Sequence, residues 1–102
     1  MTQTEKTADI SLEQSATKGR YVARLEGIEE VAELTFSVAG DQLFIADHTG
    51  VPDSMRGMGI GKQLVDRIVA DAREKNFKIV PLCPFVDAQR KKHPEWSDVF
   101  QR

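Results

Sequence analysis

Residues 56–65, RGMGIGKQLV, set glycines at 57, 59 and 61 and then turn into an amphipathic run. In a chain of 102 residues with only seven glycines, that spacing marks a place where the backbone takes positive φ or is approached closely. A loop from the carboxyl end of a strand into a helix aims unpaired N–H groups outward, and with the helix dipole these bind phosphate. A plain strand-to-helix turn uses the same glycines, so the chemistry has to be narrowed by spacing. A P-loop needs G-x-x-x-x-G-K-[ST], but Gly57 to Lys62 is one residue short and Gln63 stands where a Mg²⁺-binding hydroxyl belongs. The dinucleotide fingerprint G-x-G-x-x-G needs glycine at position 62, which is Lys62. Nucleotide hydrolysis and dinucleotide binding are both disfavoured, and Arg56-x-x-Gly59-x-Gly61 remains.

Two further residues have side chains suited to chemistry near this loop. An imidazole is the side chain best suited to proton transfer near neutral pH, and His48 lies on the segment that leads into the loop. It reads either as a proton acceptor or as a half-buried ring bonded to a carbonyl. Strand alternation sends Asp47 to the opposite face, so the two act together only if a bulge re-aims one of them. Cys83 is the one cysteine. An internal disulfide is excluded, a structural zinc site lacks its ligand set, and no metal is expected.

These residues need a scaffold, and the length allows one domain. With 40% apolar and 29% charged residues, no apolar run approaches the roughly 20 residues of a membrane span. The first nine residues are polar and lack the apolar core of a signal peptide, so the reading is a disordered tail over 1–9, a single domain over 10–102 and a cytoplasmic location. A net charge of −2 offers no general attraction to nucleic acid. Period-two alternation predicts strands near 10–14, 20–26, 30–38 and 42–49, separated by TKG, EGIEE and AGD turns. The 42–49 strand is apolar on both faces in its first half and is expected at the middle of the sheet. A 3.6-residue period over 60–75 puts Leu64, Val65, Ile68, Val69 and Ala72 inward and Asp66, Arg67, Asp71 and Arg73 toward water, and Asn76 ends the helix. FKIVPLC follows as a strand, parallel to the 42–49 strand through a right-handed crossover. Pro81 and Pro84 cannot donate to a ladder, which predicts incomplete pairing around Cys83 and a wedge between the two parallel strands. A short helix stopping before Pro94 and a final half-helix to Phe100 complete the chain. The fold class is α+β: a mainly antiparallel sheet of about five strands, a parallel β-α-β crossover in the C-terminal half, and two to three helices.

The R-x-x-G-x-G run between strand and helix resembles the pyrophosphate motif of the GNAT-type N-acetyltransferases, which use acetyl-coenzyme A. DHTGVPDSMRGMGIGKQLV, IVPLCPFV and HPEW look like the small single-domain members, whose shared phrases are H-T-x-V-P, R-G-x-G-x-G, C-P-F-V and H-P-E-aromatic. The likeness covers about residues 44 to 96. It implies transfer of acetyl from acetyl-coenzyme A to an exposed amine, either a lysine side chain or a small amine. The implied cofactor contacts are Val51, Arg56, Gly57, Met58, Gly59, Ile60, Gly61, Lys62, Cys83 and Pro84, with His48 and Cys83 as the catalytic candidates. Cys83 has three readings: buried filler, passive neighbour of the cofactor sulfur, or nucleophile. Direct transfer is preferred. The basic triplet Arg90, Lys91 and Lys92 reads as a solvated helix face or as a partner for the cofactor's 3′-phosphate. The chain departs from the family phrase at Gln89 and Trp96, where tyrosines are usual, which leaves the acid role without an owner. Tyr21, the only tyrosine, is expected to pack. A non-catalytic coenzyme A-binding adaptor is therefore the alternative. No N-terminal helices wall the acceptor site, which should be open, and a monomer is compatible with the sequence.

Overall fold

The computed structural model describes residues 7–101. Alternating apolar positions carry the chain through β1 (Asp9–Gln14), β2 (Lys18–Arg24), β3 (Ala32–Gly40) and β4 (Leu43–Gly50), each antiparallel to the one before. Helix α1 (Ile60–Lys75) then crosses over to β5 (Lys78–Pro81), which pairs parallel to β4. The sheet order is β1-β2-β3-β4-β5. The α+β class and the parallel crossover stand as the sequence predicts, but β3 is the central strand and β4 lies one place from the edge. Phe44 and Ala46 are buried while Leu43 and Ile45 are only half-buried, so β4 is covered on one face. A second short helix, α2 (Pro84–Lys92), follows β5.

Both ends of the chain differ from expectation. Of the predicted tail, residues 1–6 lie outside the described residues. Asp9 already pairs with Arg24, and the Ala8 N–H donates to Gln63 Oε1 at 2.8 Å, because β1 has Arg24 to pair with and α1 offers an amide. At the other end a 3-10 turn, Pro94–Trp96, replaces the expected half-helix. Phe100 is extended and bridges to Ile79, whose N–H donates to the Val99 carbonyl (2.7 Å) and whose carbonyl accepts from Gln101 N–H (2.8 Å). These bonds satisfy the outer edge of β5, which would otherwise be left unpaired.

The core lies between α1 and the sheet face that carries Tyr21, Leu34, Phe36, Phe44 and Ala46. Phe36 stacks on Phe44 and Phe44 on Phe77, with ring centroids 4.8 and 4.0 Å apart. From the helix come Leu64, Val65, Ile68, Val69 and Ala72. Asn76 stops α1 in the left-handed conformation (φ 61), where asparagine is among the few residues tolerated, and its N–H returns to the Ala72 carbonyl.

The outward assignment of Asp71 is corrected: it is 6% exposed. Its Oδ2 accepts from the Tyr21 hydroxyl (2.8 Å) and from Arg67 Nε (3.2 Å), while Arg67 Nη1 reaches the Ile10 carbonyl (3.1 Å). Arg67 is thus partly buried as well, with its guanidinium 5.5 Å from the Tyr21 ring centre. The cause is the phenol: a buried Tyr21 needs a polar partner, and position 71 lies seven residues from Leu64 on the inward stripe. Burial, and then Asp71, push the Tyr21 phenol above its ordinary value. The native state therefore keeps a proton that the unfolded chain gives up above about pH 10. The stability tied to this raised pKa is intact below that pH and is lost as pH rises. Melting temperatures between about pH 8 and about pH 11 should show an alkaline decline that is shallower in Tyr21→Phe.

Candidate active site

The loop between β4 and α1 is anchored by a 3-10 turn, Asp53–Met55, whose Met55 side chain is wholly buried. Past it, Gly57 (φ 79) and Gly59 (φ 74) adopt left-handed backbone. Gly59 is the N-cap of α1; it supplies no side-chain cap, and no acidic residue lies in the first turn. The first N–H of this stretch with a partner is that of Gln63, bonded to the Gly59 carbonyl at 3.2 Å. The N–H groups of residues 57–62 donate to no described residue, which leaves the positive end of α1 bare.

Gly61 serves another purpose. A Cβ there would come within 2.9 Å of Phe85 Cζ, so this glycine admits the ring of an α2 residue onto the first turn of α1. The third glycine thus serves a close approach between helices. A hollow of about 250 Å³ opens at this point. Of the predicted cofactor contacts, Val51, Arg56, Gly57, Gly59, Ile60, Gly61 and Lys62 line it. Met55 and Phe85 line it too and were missed, although the C-P-F-V phrase contains the second of them. Met58 lines a separate hollow with Leu25 and Ile28. Arg56 pairs with Asp53 (2.9 Å) in a largely exposed bridge, so its guanidinium is free to turn.

Next to the loop, the two parallel strands separate. Pairing runs from Leu43↔Lys78 to Ala46↔Pro81, and the Cys83 N–H then donates to the Ala46 carbonyl at 2.9 Å. The chain leaves the sheet here, with Pro84 at the first position of α2, where a missing N–H costs nothing. Beyond Ala46, β4 keeps β3 on one side and, among the described residues, has no strand on the other. The predicted incomplete pairing is present, but its cause is corrected. Pro81 still occupies a paired position, and the opening comes from the turn into α2. Cys83 is buried (3% exposed), with Sγ 3.4 Å from Thr49 Oγ1.

A β-bulge in β4 overturns the placement of Asp47 and His48 on opposite faces. Phe36 pairs with Ala46 and Thr35 with His48, leaving Asp47 as the extra residue. Both side chains now belong to the face without α1: Ser37 Oγ donates to Asp47 Oδ2 at 2.7 Å, and His48 sits opposite Thr35. The alternative of a half-buried, carbonyl-bonded His48 is also corrected. The residue is exposed, its ring bonds to no described residue, and Nε2 stands over Gly50, 3.3 Å from where a Cβ would lie.

Other candidates are engaged elsewhere. Arg90 and Lys91 pair with Asp87 (2.7 and 3.4 Å), and the Arg90 guanidinium holds that carboxyl below its usual range. His93 stacks on Trp96 with ring centroids 4.0 Å apart and Nδ1 2.8 Å from Glu95 Oε2. No described helix is long and apolar enough to cross a membrane.

A bare helix end behind two left-handed glycines, beside parted parallel strands, can be compared with known proteins. Residues 20–99 match the family described as GCN5-related N-acetyl-transferase. The chain belongs to that family. Among curated relatives of this GCN5-related chain, the NATD1 proteins of Gallus gallus and Homo sapiens are each 28% identical over 90 residues. The match covers 88% of this chain and 82% and 80% of theirs. The solution structure of a GCN5-like protein from Staphylococcus aureus superposes with a TM-score of 0.67 at 31% identity, covering 89% of this chain and 87% of that one. The crystal structure of a ribosomal-protein-alanine N-acetyltransferase from Brucella melitensis biovar Abortus 2308 gives a TM-score of 0.59 at 27% identity, over 79% of this chain and 62% of the other.

Proposed function

We propose that this member of the N-acetyltransferase family binds acetyl-coenzyme A and moves its acetyl group directly to an exposed amine. The observation that carries the reading is the uncapped N-terminus of α1, whose N–H groups at 57–62 donate to no described residue. These groups grip the diphosphate, and Arg56 turns from Asp53 to meet it. The bare edge of β4 beyond Ala46 pairs with the amides of the pantetheine arm as an added strand would, with Val51 along its course and Cys83 and Pro84 on the far side.

An aliphatic amine arrives protonated, its pKa being about 10.4 as in lysine. Exposed His48 takes one proton, and the freed nitrogen attacks the thioester carbonyl. The new C–N bond forms as the C–S bond breaks, and the second nitrogen proton passes through solvent to the departing sulfur. Backbone N–H groups near 48–51 stabilise the charge that develops on the carbonyl oxygen. A thiolate with a pKa of about 8.5 leaves without a dedicated acid, so a phenol is not required. Cys83, buried against Thr49, stays out of the covalent path.

The adaptor reading has one observation in its favour: Tyr21, the sole tyrosine, is tied to Asp71 under α1. One experiment separates the two readings. Coenzyme A should shift the amide resonances of residues 56–61, and with acetyl-coenzyme A plus lysine peptides and small amines, free thiol and acetylated product should accumulate by mass spectrometry. Cys83→Ala should retain turnover. Shifts without product would establish the adaptor; unmoved amides would end both readings. An acetyl group found on Cys83 and then passed to an amine would overturn direct transfer.

A further inference from the structure

We propose that the hollow on the sheet face opposite α1 receives the acceptor, and that Asp47 binds the ammonium group of a mono-cationic aliphatic amine such as a lysine side chain. The proposal rests on the acetyl-transfer reading above. The hollow measures about 680 Å³ and runs from Lys18 at the β1–β2 turn past Thr35 and Ser37 to Asp47. It is within the usual size of small-molecule sites. Because β1 and β2 are joined by residues 15–17 alone, no helix is inserted there to roof it.

Charge selects the occupant. Arg20, in the wall, is held by Glu13 (2.9 Å) and Glu33 (2.8 Å), so its cation is spent inside the wall. Asp47 pairs with no described cation: its Oδ2 takes the Ser37 hydroxyl, and Oδ1 is left to accept. Half-buried as it is, such a carboxylate makes a charge-assisted bond that is stronger than one on open surface. At the other end Lys18 forms no ion pair with a described residue and opposes a second ammonium, which favours a lysine side chain over a polyamine.

Position links the hollow to the chemistry. Asp47 follows Ala46, the last β4 residue paired with β5, so it borders both the acceptor hollow and the parted strands. The bulge that inserts Asp47 into β4 sets His48 on the same face, beside an ammonium that must lose a proton. A ladder irregularity that aligns an anion with an imidazole at this junction is the kind of re-aiming that bulges provide.

The test has two readouts. With Nα-acetyl-lysine methylamide and no coenzyme A, the amides of Thr35, Ser37 and Asp47 should shift while those of 56–61 stay, and Asp47→Asn should abolish the shifts. In turnover, Asp47→Asn should raise KM for this amine by about tenfold or more, with kcat and coenzyme A affinity within about twofold. Ser37→Ala, which only loosens Asp47, should raise KM by about threefold. Shifts that persist in Asp47→Asn, an unchanged KM, or a preference for spermidine would overturn the proposal. Failure of the coenzyme A titration at 56–61 would instead strike the parent reading, since the amine titration uses neither that ligand nor that loop.

Discussion

Replacing Gly59 by valine is expected to abolish coenzyme A binding, raising Kd at least about a hundredfold, while the fold survives. At φ 74 a β-branched residue is strained by about 1–3 kcal/mol, which a domain of ordinary stability, about 5–15 kcal/mol, can absorb. The strain is relieved only by rotating the N-cap, and that scatters the N–H groups of 57–62 that, in the proposed function, would meet the diphosphate. A branched side chain at the cap also stands in the approach to them. Isothermal titration with coenzyme A, together with far-ultraviolet circular dichroism, checks both halves of the expectation. A folded Gly59→Val protein that binds as the wild type does would remove the loop from the site. Gly57→Ala is the milder companion: its φ of 79 strains alanine, but a Cβ there meets nothing within 4 Å.

Asp71→Ala is expected to be the most destabilising of the substitutions discussed, costing about 3 kcal/mol. For a domain near 100 residues that lowers Tm by roughly 12–24 °C. The side chain joins Tyr21 to Arg67 beneath α1, and its loss leaves a buried hydroxyl without an acceptor and a guanidinium without its anion. Asp71→Asn should cost less, because an amide oxygen still accepts from the phenol. The double change Asp71→Leu with Tyr21→Phe should recover part of the loss, since both polar partners then leave together. Thermal melts of the four proteins test this, and a loss below about 0.5 kcal/mol in Asp71→Ala would mean that the network contributes little.

The sequence pattern was legible wherever one periodicity ruled. α1 spans Ile60–Lys75, where the 3.6-residue period and Asn76 put it, and the four antiparallel strands follow their alternating apolar positions to within about two residues. Legibility failed where an interaction outside the local pattern took over. Asp71 looked solvent-facing until Tyr21 supplied a buried partner from a strand 50 residues away. Asp47 and His48 looked opposed because alternation assumes a regular ladder, and a single extra residue in β4 breaks it. Phe85 was passed over because nothing local says that its ring settles on Gly61. The glycine loop itself was readable because positive φ at Gly57 and Gly59 is a demand few other residues meet.

The pairing of the C-terminal segment with Ile79 bears on how a long, thin ligand could enter. β5 is fastened to β4 on its inner side and to Val99 and Gln101 on its outer side. A strand buttressed from both flanks does not swing outward like a door. The edge of β4 beyond Ala46 therefore owes nothing to a movement of β5, and under the acetyl-transfer proposal a long, thin ligand would lie along that edge with little rearrangement of the sheet.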